Sequence, residues 1–323
     1  MEIENAKSDK IRYEKQKESF FGKVRIDFTD IFQTIKDFNN GDFIVAYYKA
    51  LRVPSFEEVK VLEKPKLSIS TNIQESSTNQ FLKFLVDYKI QAALARNEGN
   101  FDDDDHIKKW FDEFKDCLRS IFDDSNLDLI FDYHKYSFSI QSLGKVFKFT
   151  ELSAGYAAAL DIVSDLMLKM QKKGSLTRAY EKPGIVIIDE PETHLHLSLQ
   201  RQIMPILTKL FPHVQFIVAT HSPFVLSSIE NAIAFDLENK ETVEDLTEYS
   251  YDSLAEGYFG VSLESGILAT RLERLEELIK RTNLSSSESC ELDRLIKNFD
   301  KMSEIASPLI KGRFMELKRS FLH

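Results

Sequence analysis

The chain has 323 residues, 43% hydrophobic and 29% charged, with a formal net charge of -10. That length supports one large domain or two smaller ones around a real core, and the acidic balance argues against broad, unspecific attraction to DNA or anionic membranes. Two cysteines, Cys117 and Cys290, lie far apart with no His or Cys at metal-ligand spacing, no apolar run approaches membrane-spanning length, and the polar, acid-bearing N-terminus resembles neither a signal nor a transit peptide. A cytoplasmic protein with reduced thiols is expected.

In chain order, KVRIDF reads as a strand and DIFQTIKDF as a short helix, and NNGD at Asn39–Asp42 as a turn. FIVAYY, Phe43–Tyr48, is short and apolar and follows that turn, so it predicts a buried strand. SISTNIQESSTN predicts a loop. Between Gln80 and Arg96, Phe81, Phe84, Leu85, Tyr88 and Leu94 fall mostly on one helical face. The acid run Asp102–Asp105 reads as a solvated loop or helix start rather than a cation site, since consecutive carboxylates diverge and favour a helix N-terminus. IKKWFDEFKDCLRSIF predicts a second amphipathic helix. LIFDYHKYSFSI and KVFKF flank QSLG and predict a β-hairpin.

The pattern then changes. ELSAGYAAALDIVSDLMLKMQKK predicts a helix with Tyr156, Leu160, Val163, Met167 and Met170 on one stripe. GIVIID predicts a strand, PETHLHLSLQRQIMPILTKLF a helix with Leu199, Ile203, Ile206 and Leu210 inward, and VQFIVAT another strand. Alternating helices and continuous apolar strands predict a parallel sheet covered on both faces. AIAFDL leads into a loop, and amphipathic helices are expected around Ile267–Ile279, around Glu288–Phe299 and after Pro308.

Strand GIVIID delivers Asp189 and Glu190 to a carboxyl edge, where α/β sheets bind ligands. A carboxylate pair there is costly unless a cation neutralises it, as Mg²⁺ with a nucleotide phosphate would. IIDE alone fits equally well a strand that happens to end in acids. Its neighbours decide. VQFIVATHSPFVLSS places His221 just past the next strand, in position to donate to a terminal phosphate or simply to start a helix. LSAGY sets Ser153 and Gly155 at a helix start, whose free N–H groups suit an anion; an ordinary Ser N-cap explains the same residues.

LSAGY, IVIIDEPETHLH and VATHSPFVL, in that order and one helix apart, together resemble the ABC-type ATPases, a division of the AAA-family P-loop NTPases. The branch is the one holding the SMC-like repair ATPases and the OLD-like and RecF-like ATPases of bacterial genome maintenance and phage defence. LSAGY looks like the signature, with Ala154 where many members have a second Gly. IVIIDEPETHLH looks like Walker B and the D-loop in this branch's DEPExHLH form, and VATHSPFVL like the switch-histidine segment; the convincing likeness spans about Phe147–Leu237. The resemblance implies that Asp189 holds Mg²⁺, that Glu190 is the general base for ATP hydrolysis and that His221 meets the γ-phosphate. It implies that Ser153, Ala154 and Gly155 contact ATP bound to a second subunit, with His196 in the D-loop. Two heads then sandwich ATP as a homodimer or heterodimer. A separate nuclease or effector protein is a further implied partner, with DNA implied by family alone and no membrane. His194 and His196, two apart at a helix start, share no face and make no zinc site.

The P-loop of that family, G-x-x-x-x-G-K-[ST], does not occur: Gly22–Lys23 and Gly144–Lys145 are each followed by Val and lack the earlier Gly. The expected fold is therefore α/β, a P-loop NTPase-like parallel-sheet core incomplete at the N-terminus, with a helical insert and a helical C-terminal cap. The expected organisation is an N-terminal remnant of the ATPase sheet with a loop (1–78), the insert (79–127), the ATPase core (128–240) and a helical C-terminal region (241–323). A fragment of a longer gene product accounts for the missing P-loop, since Glu190 and His221 are intact. The alternatives are a trans half-site for a complete partner and a non-hydrolysing scaffold. Glu256–Gly257 in AEGYFG matches the start of a TOPRIM nuclease motif, but no Asp-x-Asp follows. The glutamine of the family's Q-loop has no certain position, and FIVAYYKALR is its candidate neighbourhood.

Overall fold

A computed structural model describes residues 29–66, 73–171, 181–257, 266–281, 283–302 and 308–322. The predicted strand KVRIDF, the pair Gly22–Lys23 and the start of the SISTN loop lie outside the described residues. The chain divides into two units. The first holds the residues up to Leu199 together with Pro205–Ala219, and the second holds Gln200–Met204 and everything from Thr220 onward.

In the first unit, helix α1 (Ile31–Asn40) starts at Asp30, whose carboxylate accepts from the Gln33 N–H, and stops at Gly41, which takes a left-handed φ of 75°. Strand β1 (Ile44–Tyr48) follows at once. Three strands make a parallel sheet in the order β1–β5–β6, with β5 at Gly184–Asp189 and β6 at Val214–Ala219. Ile44 pairs with Gly184 and Asp189 with Ala219, so the two-carboxylate strand is central among the described strands. Among the described residues the expected parallel sheet is present, and its two faces differ in burial. Ile188 and Val186 are fully buried, whereas Ile187 and Ile217 on the opposite face are 36% and 49% exposed. Among the described residues β6 has a strand neighbour on one side only, and its side chains alternate between half-buried and exposed.

Helices α2 (Phe81–Asn97) and α3 (Phe101–Phe122) pack together around stacked and edge-on aromatic rings, Phe81, Phe84, Tyr88, Trp110 and Phe114 among them. The Asp102–Asp105 run opens α3, capped by Asn100; Asp104 is buried and pairs with Lys108 at 2.6 Å. The expected single hairpin is a three-stranded antiparallel sheet of β2 (Asp128–Asp132), β3 (Ser137–Ser142) and β4 (Lys145–Lys148). LIFDYHKYSFSI is broken by a turn in which Asp132 accepts from the His134 and Lys135 N–H groups and Tyr136 takes a left-handed φ of 49°. Gly144–Lys145 belongs to the next tight turn, with Leu143 and Gly144 both at positive φ, which is hairpin geometry rather than a phosphate loop.

Helix α4 (Ala154–Lys169) is buried nearly all round, beyond its predicted stripe, and includes three buried polar residues, Asp161, Ser164 and Asp165. Helix α5 (Leu197–Leu210) begins six residues later than the sequence suggests, because Pro191–His196 forms a turn. In the second unit, helix α6 (Pro223–Leu226) is capped by Ser222. AIAFDL is not followed by a plain loop: β7 (Ile233–Asp236) and β8 (Glu241–Glu244) form a hairpin, with Asp236 turning the chain through the Glu238 and Asn239 N–H groups. Helix α7 (Tyr251–Gly257) contains the start of AEGYFG, the rest of which lies outside the described residues. The three expected C-terminal helices are α8 (Gly266–Lys280), α9 (Ser286–Asp300) and α10 (Pro308–Leu322). Leu272, Leu275, Leu278, Leu292, Leu295, Phe299, Ile310 and Phe314 form their common core.

Candidate nucleotide site at the carboxyl end of the parallel sheet

β5 ends at Asp189, and the chain then turns sharply. Glu190 donates its N–H to the Ala219 carbonyl at 2.8 Å, extending the ladder by one bond, but its φ is +45°. For a residue with a Cβ that left-handed backbone costs on the order of 1 kcal/mol or more, so surrounding contacts hold it. Some are local. The Thr193 N–H donates to the Glu190 carbonyl at 3.1 Å, and the Thr193 hydroxyl donates to Glu190 Oε2 at 3.2 Å, orienting the carboxylate. The Leu195 N–H donates to the Glu192 carbonyl at 2.8 Å, and His194 takes a second positive φ, 68°. Both Asp189 and Glu190 remain partly open to solvent, so a ligand can reach them.

The strongest contact comes from a residue the motif search missed. Arg52, four residues past β1, is 8% exposed. Its Nη1 donates to the carbonyls of Lys49 at 3.0 Å and Asp189 at 3.2 Å. Its Nη2 donates to the carbonyls of Glu190 at 3.3 Å and Pro191 at 3.2 Å. Burial lowers the affinity of this guanidinium for its proton, while the charges of Asp161, Glu192, Asp189 and Glu190 oppose that effect. The only sequence signal was an arginine just past an apolar strand, in the neighbourhood considered for the Q-loop.

The signature-like segment lies against the same turn. Ser153 is the N-cap residue of α4 by backbone geometry, its carbonyl accepting from the Ala157 N–H at 2.9 Å, but its side chain makes no capping bond. The plain N-cap explanation for this serine is thus not realised. Ser153 and Ala154 are exposed, and the N–H groups of the first helical turn have no intrahelical acceptors. Gly155 is buried for a different reason: a Cβ there would lie 2.6 Å from the His194 carbonyl oxygen. The helix start and the turn after β5 are therefore in direct backbone contact. His196 is the exposed residue before α5, with its ring 6.3 Å from that of Tyr156. His221 is exposed in the second unit, two residues past the end of β6.

A buried polar network braces α4 farther along its length. Tyr48 donates its hydroxyl to Asp165 Oδ2 at 2.7 Å, and the Ser77 N–H donates to Oδ1 at 2.7 Å. Lys169 pairs with the same carboxylate. One turn earlier, Asp161 accepts from the Thr78 hydroxyl at 2.6 Å and the Ser76 hydroxyl at 3.2 Å. Lys169 stands one helical turn along from Asp165, but the other partners come from segments 83 to 117 residues away, which sequence spacing does not reveal.

A family profile described as "AAA domain, putative AbiEii toxin, Type IV TA system" matches residues 58–227, more than half of the chain. The chain belongs to this AAA domain family. The matched span includes α4, β5 and β6, and so contains the turn described above. The chain is also similar to the Septu protein PtuA of Bacillus mycoides (strain KBAB4), 26% identical over 218 residues, covering 64% of this chain and 30% of that protein. The "Retron Ec83 probable ATPase" of Escherichia coli is 35% identical over 114 residues, covering 35% of this chain and 19% of the relative. The "Retron Vc95 probable ATPase" of Vibrio cholerae serotype O1 biovar El Tor is 25% identical over 203 residues, with 62% and 37% covered. The alignments thus span less than two fifths of the length of these relatives. No described helix is long and apolar enough to cross a membrane.

Proposed function

We propose that the chain supplies the ATP-hydrolysing head of a multi-protein anti-phage defence assembly. One observation carries the reading: in an AAA domain, the strand that is central among the described strands of a parallel sheet leads into two solvent-reachable carboxylates, Asp189 and Glu190, the second held at a left-handed φ. The relatives named for Septu and retron systems favour the defence arm of the resemblance over DNA repair.

The residues suit the expected cofactor. Among the described residues no three His, Cys, Asp or Glu side chains cluster as a metal cage. Mg²⁺ needs none here, since it binds through one or two carboxylates, waters and substrate phosphates. Asp189 would hold it, and when bound it neutralises charge on the β- and γ-phosphates. Glu190 accepts a proton from the attacking water, whose oxygen bonds to the γ-phosphorus as the bond to the ADP oxygen breaks. Thr193 keeps that carboxylate aimed. Ser153, Ala154 and Gly155 offer the start of α4 to ATP on a second subunit, so the catalytic unit is a dimer; His196 lies in the D-loop and His221 meets the γ-phosphate.

The test is Glu190→Gln in the full-length protein. Turnover is expected to fall by at least about 100-fold, while ATP still binds and the dimer persists longer. Unchanged turnover removes Glu190 from the base role. A wild-type protein that binds ATP and does not hydrolyse it makes the chain a scaffold or trans half-site instead.

A further inference from the structure

In a regular strand, successive carbonyls point to opposite sides. At the end of β5 three successive carbonyls, those of Asp189, Glu190 and Pro191, converge on one guanidinium. Their dipoles repel one another, and the backbone that brings them together passes through the left-handed conformation of Glu190. A cation at their focus reverses the balance. The planar fork of Arg52 reaches all three and also ties them to Lys49 at the end of β1. Lysine carries the charge but concentrates it on one atom with three donors and cannot span this set. All four bonds go to backbone and none to a carboxylate, so Arg52 controls where the chain runs and leaves the side chains of Asp189 and Glu190 available.

We infer that Arg52 is a positioning residue for the Asp189–Glu190 pair, a backbone clamp that sets the direction of the Glu190 side chain without touching substrate. This role rests on the ATPase reading for its catalytic consequence, and on the geometry alone for the clamp itself. Two further observations favour it over plain core filling. Arg52 Nε makes no hydrogen bond, so the side chain is placed for its two terminal nitrogens at the expense of the third. The carboxylates of Asp161, Glu192, Asp189 and Glu190 all lie near enough to favour the charged guanidinium, as a clamp on backbone carbonyls requires.

The experiment compares wild type, Arg52→Lys and Arg52→Ala in the full-length protein with two readouts. Hydrogen exchange at the Thr193 and Leu195 amides, which bond within the turn, is expected to accelerate in Arg52→Lys while the amides of α8–α10 keep their wild-type protection. Unchanged exchange at those two amides overturns the clamp, whatever the enzyme activity. Steady-state kinetics is expected to show kcat for ATP falling by roughly 100-fold, the cost of a displacement near 1 Å at a catalytic group, with KM nearly unchanged. Added methylguanidinium should restore part of the Arg52→Ala turnover, and ethylammonium should not. Wild-type kcat in Arg52→Lys, or joint loss of ATP binding and turnover without guanidinium rescue, overturns the positioning role. The Glu190→Gln control separates the two levels: if it leaves turnover unchanged, the ATPase assignment fails and the exchange data still decide the clamp.

Discussion

Gly155→Ala tests the contact between the start of α4 and the turn after β5. The added Cβ would sit 2.6 Å from the His194 carbonyl oxygen, 3.5 Å from its carbonyl carbon and 3.7 Å from Leu195 Cα, all backbone atoms. Ordinary contact begins near 3.4 Å, so helix and turn must separate by about 0.8 Å. The turn resists, being fixed by Arg52, by the Thr193 and Leu195 hydrogen bonds and by two left-handed residues. Overpacking of this kind costs about 1–3 kcal/mol. Without the clash the same substitution would stabilise a helical position by about 0.4–1 kcal/mol, by reducing the freedom of the unfolded chain. The sign of the effect therefore reports the geometry. Urea denaturation of the full chain should show the first unit losing about 1–2 kcal/mol. Gly312→Ala in α10 is the matched control: nothing lies within 4 Å of its Cβ, and it should raise the stability of the C-terminal helices. A Gly155→Ala protein as stable as wild type, or more so, would refute the argument.

Two other outcomes are expected. Burial holds the Asp161 carboxyl above its ordinary value and Asp165 adds to this, while hydrogen bonds from Thr78 and Ser76 and the Arg52 charge oppose it. The folded state then binds that proton more tightly than the unfolded chain, so this group's stabilising contribution is complete below the ordinary carboxylate value of about 3.9 and is lost as pH rises through the raised folded value. Asp161→Asn, which keeps an acceptor for Thr78, should therefore be more stable than wild type at neutral pH, with the advantage vanishing by about pH 4; parallel stability curves would contradict this. Burial pushes the Cys117 thiol up to about 12, whereas Cys290 is exposed. Iodoacetamide at mildly alkaline pH should modify Cys290 alone in the native protein and both cysteines in urea, and rapid native labelling of Cys117 by mass spectrometry would show that α3 is not packed as described.

What the sequence displayed was local pattern. The apolar runs before Asp189 and before Thr220 marked β5 and β6, and helical periodicity marked α8 and α9 within a residue or two and the presence of α10 after Pro308. The errors fall where a distant contact or a side-chain turn overrides pattern. Pro191–His196 reads as helix because the apolar spacing continues; it is a turn, closed by the Thr193 and Leu195 N–H bonds to the Glu190 and Glu192 carbonyls and entered through the Asp189, Glu190 and Pro191 carbonyls that Arg52 holds from 137 to 139 residues away. The break at Tyr136 and the β7–β8 hairpin are made by Asp132 and Asp236, each bonding backbone two and three residues on, a signal the sequence carried in its acids. Within the candidate site, Asp189, Glu190 and the Ser153–Gly155 helix start were visible as motif. Thr193 and Arg52, which aim the carboxylate and hold its backbone, have no spacing rule of their own.

The three C-terminal helices share a core of eight buried side chains drawn from α8, α9 and α10, and the family match stops at residue 227, well before them. A helical module whose apolar faces satisfy one another can diverge by compensating changes inside itself. A large-to-small change at Leu275 can be answered by a larger residue at Phe314's neighbours, with the strand-end carboxylates untouched. Selection can thus rework the α8–α10 surface for one host's needs while the AAA portion stays under a separate constraint, so relatives that share the site are expected to differ most in this bundle.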